Sequence, residues 1–437
     1  MDLVYCFFSS CLFFILSNFY FFYDKLGIKC VFFFFLFYFI FISFFPDIFF
    51  KKLSSRKLCK IRKGYFLLLM YFVLVILYSV SFFLICFVFK YSWGIYFFIY
   101  LLCLFLVYWN GFLRVYLNSS QLAIRYRGLF LFSRYIPFYN FYMLAKVISI
   151  TRSEVIVEND RILLNDSRRN LRVCSTKYPI LLVHGVFFRD FRFFDYWGRI
   201  PNDLKENGAT IYYGNHSSAL PVSLSASEIA SRIRDIVSST GCGKVNIIAH
   251  SKGGLDCRYA ISELGISKYV ASLSMINTPN RGCEFADYLL SKVPQGVIDK
   301  ISRVYNSTLK RLGDKSPDFI GAVNDLTSSS CSKLNSFLVK SDDVFYQSVG
   351  SKLVGNSSGR FPLNMTSRFV NLFDGPNDGL VGENSFSYGD NYMFVVSKSK
   401  RGISHGDMID LNRENFSGFD VREFYVKIVS DLKKRGF

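Results

Sequence analysis

The segment Lys244-Val-Asn-Ile-Ile-Ala249-His250-Ser251-Lys252-Gly253-Gly254 constrains the fold of this chain more than any other. Its apolar start reads as a buried strand, and the run from Leu255 through Leu264 is compatible with a helix. Joining the two within a few residues demands a turn too sharp for bulky side chains. Ala249 and Gly253, two before and two after Ser251, meet that demand. This is the nucleophile-elbow pattern G-x-S-x-G with Ala in the first place, and it holds a serine strained and exposed. The helix N-terminus and the Lys252 N–H then face negative charge that develops beside the serine. A serine in a Gly-rich strand-to-helix turn can instead belong to a phosphate cradle, so the reading depends on finding a base.

A serine alone is a poor nucleophile. The chain has four histidines, His184, His216, His250 and His405. Elbow-type sites run in the order Ser, acid, His, and His405 alone lies C-terminal to Ser251. It sits in Arg401-Gly-Ile-Ser-His405-Gly-Asp407, a Gly-flanked loop after the apolar run Tyr392 to Val396. The acid is expected after a strand, and Arg368-Phe-Val-Asn-Leu-Phe373 is read as that strand. Asp374 and Asp378 then compete. Asp378 stands at the tip of the loop Asn-Asp-Gly-Leu-Val and is favoured; the other is an Asx-turn residue. Upstream, Tyr178-Pro-Ile-Leu-Leu-Val-His184-Gly185-Val186 reads as a buried parallel strand closed by a tight turn.

On these motifs the stretch from Tyr178 to Phe437 resembles bacterial triacylglycerol lipases and related esterases of the α/β-hydrolase superfamily. The matching residues are His184-Gly185, Ala249-His250-Ser251-Lys252-Gly253-Gly254, Asn277-Thr278-Pro279-Asn280-Arg281-Gly282, Gly375-Pro376-Asn377-Asp378-Gly379 and Ser404-His405-Gly406-Asp407. The resemblance implies an α/β-hydrolase fold, with a mostly parallel central sheet flanked by helices. It also implies that the backbone N–H of Val186 joins that of Lys252 in an oxyanion hole. His184, Gly185, Ala249, His250 and Gly253 are then elbow and supporting residues. No cofactor is implied. Some relatives carry a structural calcium on an aspartate two residues after the catalytic histidine, a position held here by Asp407 with Asp410 nearby. The second carboxylate ligand is not identifiable, so calcium is only a candidate. Residues 285–340 have helical character and stand where a cap or lid covers the serine, mobile or rigid.

The rest of the chain departs from that resemblance. Four apolar stretches, roughly Val4 to Tyr23, Cys30 to Phe50, Tyr65 to Phe89 and Tyr91 to Trp109, precede the catalytic part. Each is near the ~20 residues a helix needs to cross a bilayer. Asn18, Ser9, Ser10 and Ser17 dilute the first. Residues 51–63 carry seven basic and no acidic side chains, which places that loop, and with four spans the catalytic part, on the cytoplasmic side. Trp93, Tyr108 and Trp109 suit the interface belt, and Arg114, Arg125 and Arg127 agree with the orientation. Much of the formal charge of +19 clusters beside these spans, which favours anionic headgroups over nucleic acid. Eleven cysteines without metal-type pair spacing form neither a disulfide framework nor a zinc site. The expected organisation is a transmembrane region at 1–110, a basic aromatic connector at 111–177 that is interfacial or helical, and a catalytic domain at 178–437.

The expected function is hydrolysis of carboxylic esters by a membrane-anchored serine enzyme, with the bilayer and a lipid ester (acylglycerol or phospholipid) as partners. An acyltransferase or thioesterase would use the same triad. A non-catalytic membrane scaffold would have no need of it.

Overall fold

The computed structural model describes residues 2–48, 51–84, 94–122, 124–133, 136–186, 196–217, 219–311, 313–314, 316–355 and 358–437. Phe50, Phe89, Tyr91 and Trp93, which bound or decorate the expected spans, lie outside these residues. The chain forms two compact units, Met1–Asp166 and Ser167–Phe437.

The first unit is helical: α1 (Asp2–Ser17), α2 (Phe19–Leu26), α3 (Val31–Phe44), α4 (Arg56–Phe83), α5 (Gly94–Asn118), α6 (Ile124–Ser133) and α7 (Pro137–Arg168). Among the described residues α4, with 28 residues, and α5, with 25, are long and apolar enough to cross a membrane. The 16 residues of α1 and 14 of α3 are shorter, about 24 and 21 Å against a ~30 Å hydrocarbon layer. Asn18 interrupts the first stretch, its Nδ2 donating to the Phe14 carbonyl at 2.7 Å, a local bond that competes with helix continuation. Pro46 follows α3 closely and disfavours helix at the residue before it. The basic segment 51–63 is largely helical: α4 begins at Arg56, and Arg62 is buried against Asp47 at 2.8 Å. A Cβ on Gly111 would come within 3.0 Å of the Gly64 carbonyl oxygen, so this pair of glycines lets α4 and α5 approach backbone to backbone.

The second unit is built on a six-stranded, all-parallel sheet in the order β2-β1-β3-β4-β5-β6. The strands are β1 (Ile180–Val183), β2 (Ile211–Tyr213), β3 (Val245–His250), β4 (Val270–Ile276), β5 (Phe345–Ser351) and β6 (Asn391–Val395). Strands β1, β3 and β4 are buried along their whole length, as strands covered on both faces must be. Their alternation divides the core. Leu181, Val183, Val245, Ile247 and Ala249 pack with α9 (Val222–Thr240) and α10 (Lys252–Glu263). Ile180, Leu182 and Ile248 face α8 (Ile200–Glu206) and α16 (Val421–Lys434) through Trp197, Leu204, Tyr425 and Val429. This is the α/β-hydrolase architecture.

In the second unit one element differs from expectation. Arg368–Phe373 is not a strand but the end of a helix, α15 (Leu363–Phe373). Ser367 and Val370 are buried on one side, while Met365, Phe369 and Leu372 are exposed on the other, a period of three to four. A short apolar run does not by itself distinguish helix from strand. The sheet position is taken by β5, registered between β4 and β6. Four helices, α11 (Glu284–Lys292), α12 (Gln295–Arg311), α13 (Phe319–Asn324) and α14 (Ser328–Phe337), fill the connection from β4 to β5.

Candidate active site

Val186, Ser251, Asp378 and His405 follow the carboxyl ends of β1, β3, β5 and β6, on both sides of the point where the strand order reverses between β1 and β3, and Ala249 and His250 are the last two residues of β3. Ser251 follows β3 directly, at φ 55° and ψ −132°, a region that non-glycine residues enter only when their surroundings force it. Its N–H donates to the Ile276 carbonyl at 3.0 Å, which fixes the turn to the neighbouring strand. The small residues have geometric causes. A Cβ on Gly253 would lie 2.5 Å from the His184 carbonyl oxygen. One on Gly185 would lie 2.8 Å from the Cβ of Ser251. Ala249, fully buried, pairs in register with Val183 and Met275.

His405 stands in the loop after β6. Its Nδ1 lies 2.6 Å from Oδ2 of Asp378, and its backbone N–H donates to the Asp378 carbonyl at 2.9 Å. A carboxylate only accepts, so Nδ1 carries the proton and Nε2 is left as the basic nitrogen. Asp378 is fully buried and accepts three further bonds, from the N–H groups of Leu380 and Val381 and from Nδ2 of Asn277. Asn277 also donates to Ser351 Oγ at 2.8 Å, which makes it a strut between the acid and β5. The sequence motif contained Asn277 without revealing this role. Asp374 does different work: it accepts from the N–H groups of Glu284 and Phe285 and so caps α11.

Val186 lies three residues beyond the end of β1, and Lys252 opens α10, where its N–H has no intrahelical acceptor. The Lys252 side chain is buried away from that role, with Nζ 2.6 Å from Asp256 and 3.1 Å from Ser225 Oγ. Burial pushes the Asp256 carboxyl up to about 7, with the Lys252 charge opposing the rise. His184 is also fully buried, its ring stacked on His216 at 3.8 Å between centroids and its nitrogens beside the Gly185 and His216 carbonyls.

Tyr196, unnoticed in the sequence, stands at the centre of the site. Its hydroxyl accepts from the Gly185 N–H at 3.0 Å and lies 2.7 Å from Nδ1 of His250. The other nitrogen of His250 lies 3.2 Å from the His405 carbonyl oxygen. Burial, and next the charge of His405, lower the pKa of His250 well below its ordinary value, so this ring stays neutral.

The carboxylates after His405 do not fit a calcium site. Asp407 accepts from Arg401, from the Ser404 N–H and from Ser404 Oγ. Asp410 is held by Arg199 through Nε, Nη2 and the backbone N–H. A cation would have to displace an arginine from each. No group of three or more His, Cys, Asp or Glu side chains able to hold a metal ion occurs among the described residues. The ten described cysteines are all free thiols.

No family model matches the chain. Curated relatives are triacylglycerol lipases. The chain is 32% identical over 173 residues to that of Pseudarthrobacter phenanthrenivorans, covering 37% of this chain and 54% of the relative. It is 32% identical over 173 residues to that of Burkholderia plantarii, covering 37% and 48%. Against triacylglycerol lipase 2 of Saccharomyces cerevisiae the identity is 28% over 263 residues, covering 56% and 74%. The chain thus spans about half the length of the bacterial relatives it matches. Among solved structures, a Staphylococcus hyicus lipase aligns with a TM-score of 0.47 at 17% identity, over 60% of this chain and 97% of that one. A Bacillus licheniformis lipase in its mature form aligns with a TM-score of 0.42 at 23% identity, over 54% and 88%. The chain resembles triacylglycerol lipases in sequence.

Proposed function

We propose that the chain is a membrane-anchored serine hydrolase of carboxylic esters, acting on lipid esters such as acylglycerols or phospholipids. The observation that carries this reading is the 2.6 Å bond from His405 Nδ1 to the buried Asp378, in a chain that also holds Ser251 at positive φ at the end of β3. Ser251 Oγ attacks the ester carbonyl carbon while His405 Nε2 takes its proton, and Asp378 holds the tautomer that permits this. The carbonyl oxygen becomes an oxyanion facing the N–H groups of Val186 and Lys252. The ester C–O bond breaks, the alcohol leaves with the proton from His405, and an acyl-serine remains. Water, deprotonated by His405, releases the acid and restores the serine.

Two features support a lipid substrate. The helices α4 and α5 are long enough to anchor the protein in a bilayer. In the catalytic unit α12 exposes Val297, Ile301 and Val304, and α15 exposes Met365, Phe369 and Leu372, apolar surface of the kind that marks interaction sites. The basic residues of 51–63 favour a cytoplasmic catalytic unit.

The test is hydrolysis by the full chain in detergent across short- and long-chain acyl esters, with methanol as competing acceptor. Preference for long chains with water as acceptor supports the reading. Transfer to methanol outrunning hydrolysis would replace it with an acyltransferase. No turnover of any ester by folded protein would remove it.

A further inference from the structure

We infer that Tyr196 and His250 are positioning residues which join the oxyanion loop to the base loop through one hydrogen-bonded chain; this rests on the serine-hydrolase reading above. The proton positions follow from the acceptors. A backbone carbonyl cannot donate, so the bond between His250 Nε2 and the His405 oxygen at 3.2 Å places the hydrogen on Nε2. The neutral ring then offers a bare Nδ1, and the Tyr196 hydroxyl, 2.7 Å away, donates to it. The same hydroxyl accepts from the Gly185 N–H at 3.0 Å. The chain therefore runs in one direction, from the Gly185 N–H to the Tyr196 hydroxyl, to the His250 ring, to the His405 carbonyl. Tyr196 and His250 are both buried, where unpaired polar groups are costly and paired ones rigid.

Three consequences for the reaction follow. Tyr196 engages the Gly185 N–H, so the next N–H in the loop, that of Val186, is the one available to an oxyanion. His405 is held on both sides of its backbone, its N–H on the Asp378 carbonyl at 2.9 Å and its carbonyl on His250. Its ring is thereby aimed from the main chain as well as from the Asp378 carboxylate. Third, the His250 ring lies 4.5 Å from the His405 ring, yet its Nδ1 lone pair already accepts a hydrogen bond from the Tyr196 hydroxyl and its Nε2 already carries a hydrogen. The proton that leaves the serine has no second imidazole to go to. His250 is the residue before Ser251 in the chain, so nucleophile, base and oxyanion donor are referenced to a single side chain.

The test compares the full chain with Tyr196→Phe, His250→Ala and the double variant, with Ser251→Ala beside them, in detergent, on a soluble long-chain ester. Tyr196→Phe keeps the ring and removes only the hydroxyl. The account expects kcat to fall about 10- to 100-fold in each single variant with KM within twofold. The double variant should be no worse than the poorer single one, because both break the same chain. Additive losses, or losses carried by KM, mean two separate packing roles and overturn the inference. So does Tyr196→Phe with wild-type kcat, a result that also decides the matter if His250→Ala does not fold. Activity that survives Ser251→Ala would instead strike the serine-hydrolase reading itself, which keeps the two failures apart.

Discussion

Replacing Asp378 by Asn changes one atom and tests the electrostatic logic of the site. The carboxylate receives two backbone N–H groups on Oδ1, from Leu380 and Val381, both at 2.9 Å. It receives Asn277 Nδ2 and His405 Nδ1 on Oδ2, at 2.7 and 2.6 Å. An amide has one acceptor end and one donor end, so one of these pairs must face a donor. Turning the NH2 toward the backbone would leave both N–H groups unpaired, at about 1–3 kcal/mol for the buried one of Val381 and less for the half-buried one of Leu380. Turning it toward His405 leaves only the Asn277 amide, which can rotate, and a ring that can change tautomer. The second arrangement wins. His405 then carries its hydrogen on Nε2, the nitrogen that the proposed mechanism uses as base, and has no lone pair with which to accept the serine proton. In serine proteases the same substitution costs about 10⁴ in kcat, equivalent to ~5.4 kcal/mol of barrier. The expected result for Asp378→Asn is a fall in kcat of about 10³–10⁴ with little change in KM, read from ester hydrolysis in detergent, with folding checked by circular dichroism. Activity within tenfold of wild type would refute the assignment of the acid and reopen the claim of Asp374.

The pH dependence of stability carries a second expectation. His250 is neutral in the folded protein at pH values where an unfolded histidine, near 6.5, takes a proton. Its contribution is complete above that pH and is lost as pH falls below it, by up to about 1.4 kcal/mol per pH unit. Denaturant titrations between pH 7 and 5 should show that slope in the wild type and a shallower one in His250→Ala. Gly253→Ala places a methyl 2.5 Å from the His184 oxygen and 3.0 Å from Val183 Cγ1; it should cost about 1–3 kcal/mol, and unchanged thermal unfolding would contradict the packing described. Chelation by EDTA should leave both activity and the unfolding temperature unaltered, since Asp407 and Asp410 are already compensated by Arg401 and Arg199. A chelator-dependent drop would restore the calcium candidate.

The elbow was legible because sterics leave so few residue types at Ala249 and Gly253. Elimination among four histidines singled out His405 as the candidate base, and the structure places its Nδ1 2.6 Å from Asp378. What escaped the sequence was interior polarity. Strand β5 contains Gln347, Ser348 and Ser351 and so lacks the continuous apolar run of a buried strand, yet Gln347 bonds Ser274 and Ser348 bonds the Tyr388 carbonyl inside the core. With that strand unseen, the next apolar run, Arg368–Phe373, took its place in the reading and proved helical. Tyr196 and Asn277 escaped for another reason. Their partners lie 54 and 101 residues away along the chain, a proximity that no local pattern encodes. The apolar helices of the first unit were legible in composition but not in length, because Asn18 and Pro46 shorten helices that hydrophobicity alone would extend.

The most direct measurement is covalent capture of the nucleophile. The full chain in detergent is treated with a long-chain alkyl fluorophosphonate, digested, and the adduct located by mass spectrometry, with Ser251→Ala and His405→Ala in parallel. The account predicts one stoichiometric adduct on Ser251 in the wild type, none in Ser251→Ala, and labelling slowed by orders of magnitude in His405→Ala. An adduct on another residue, or none on Ser251 in folded wild-type protein, would contradict it.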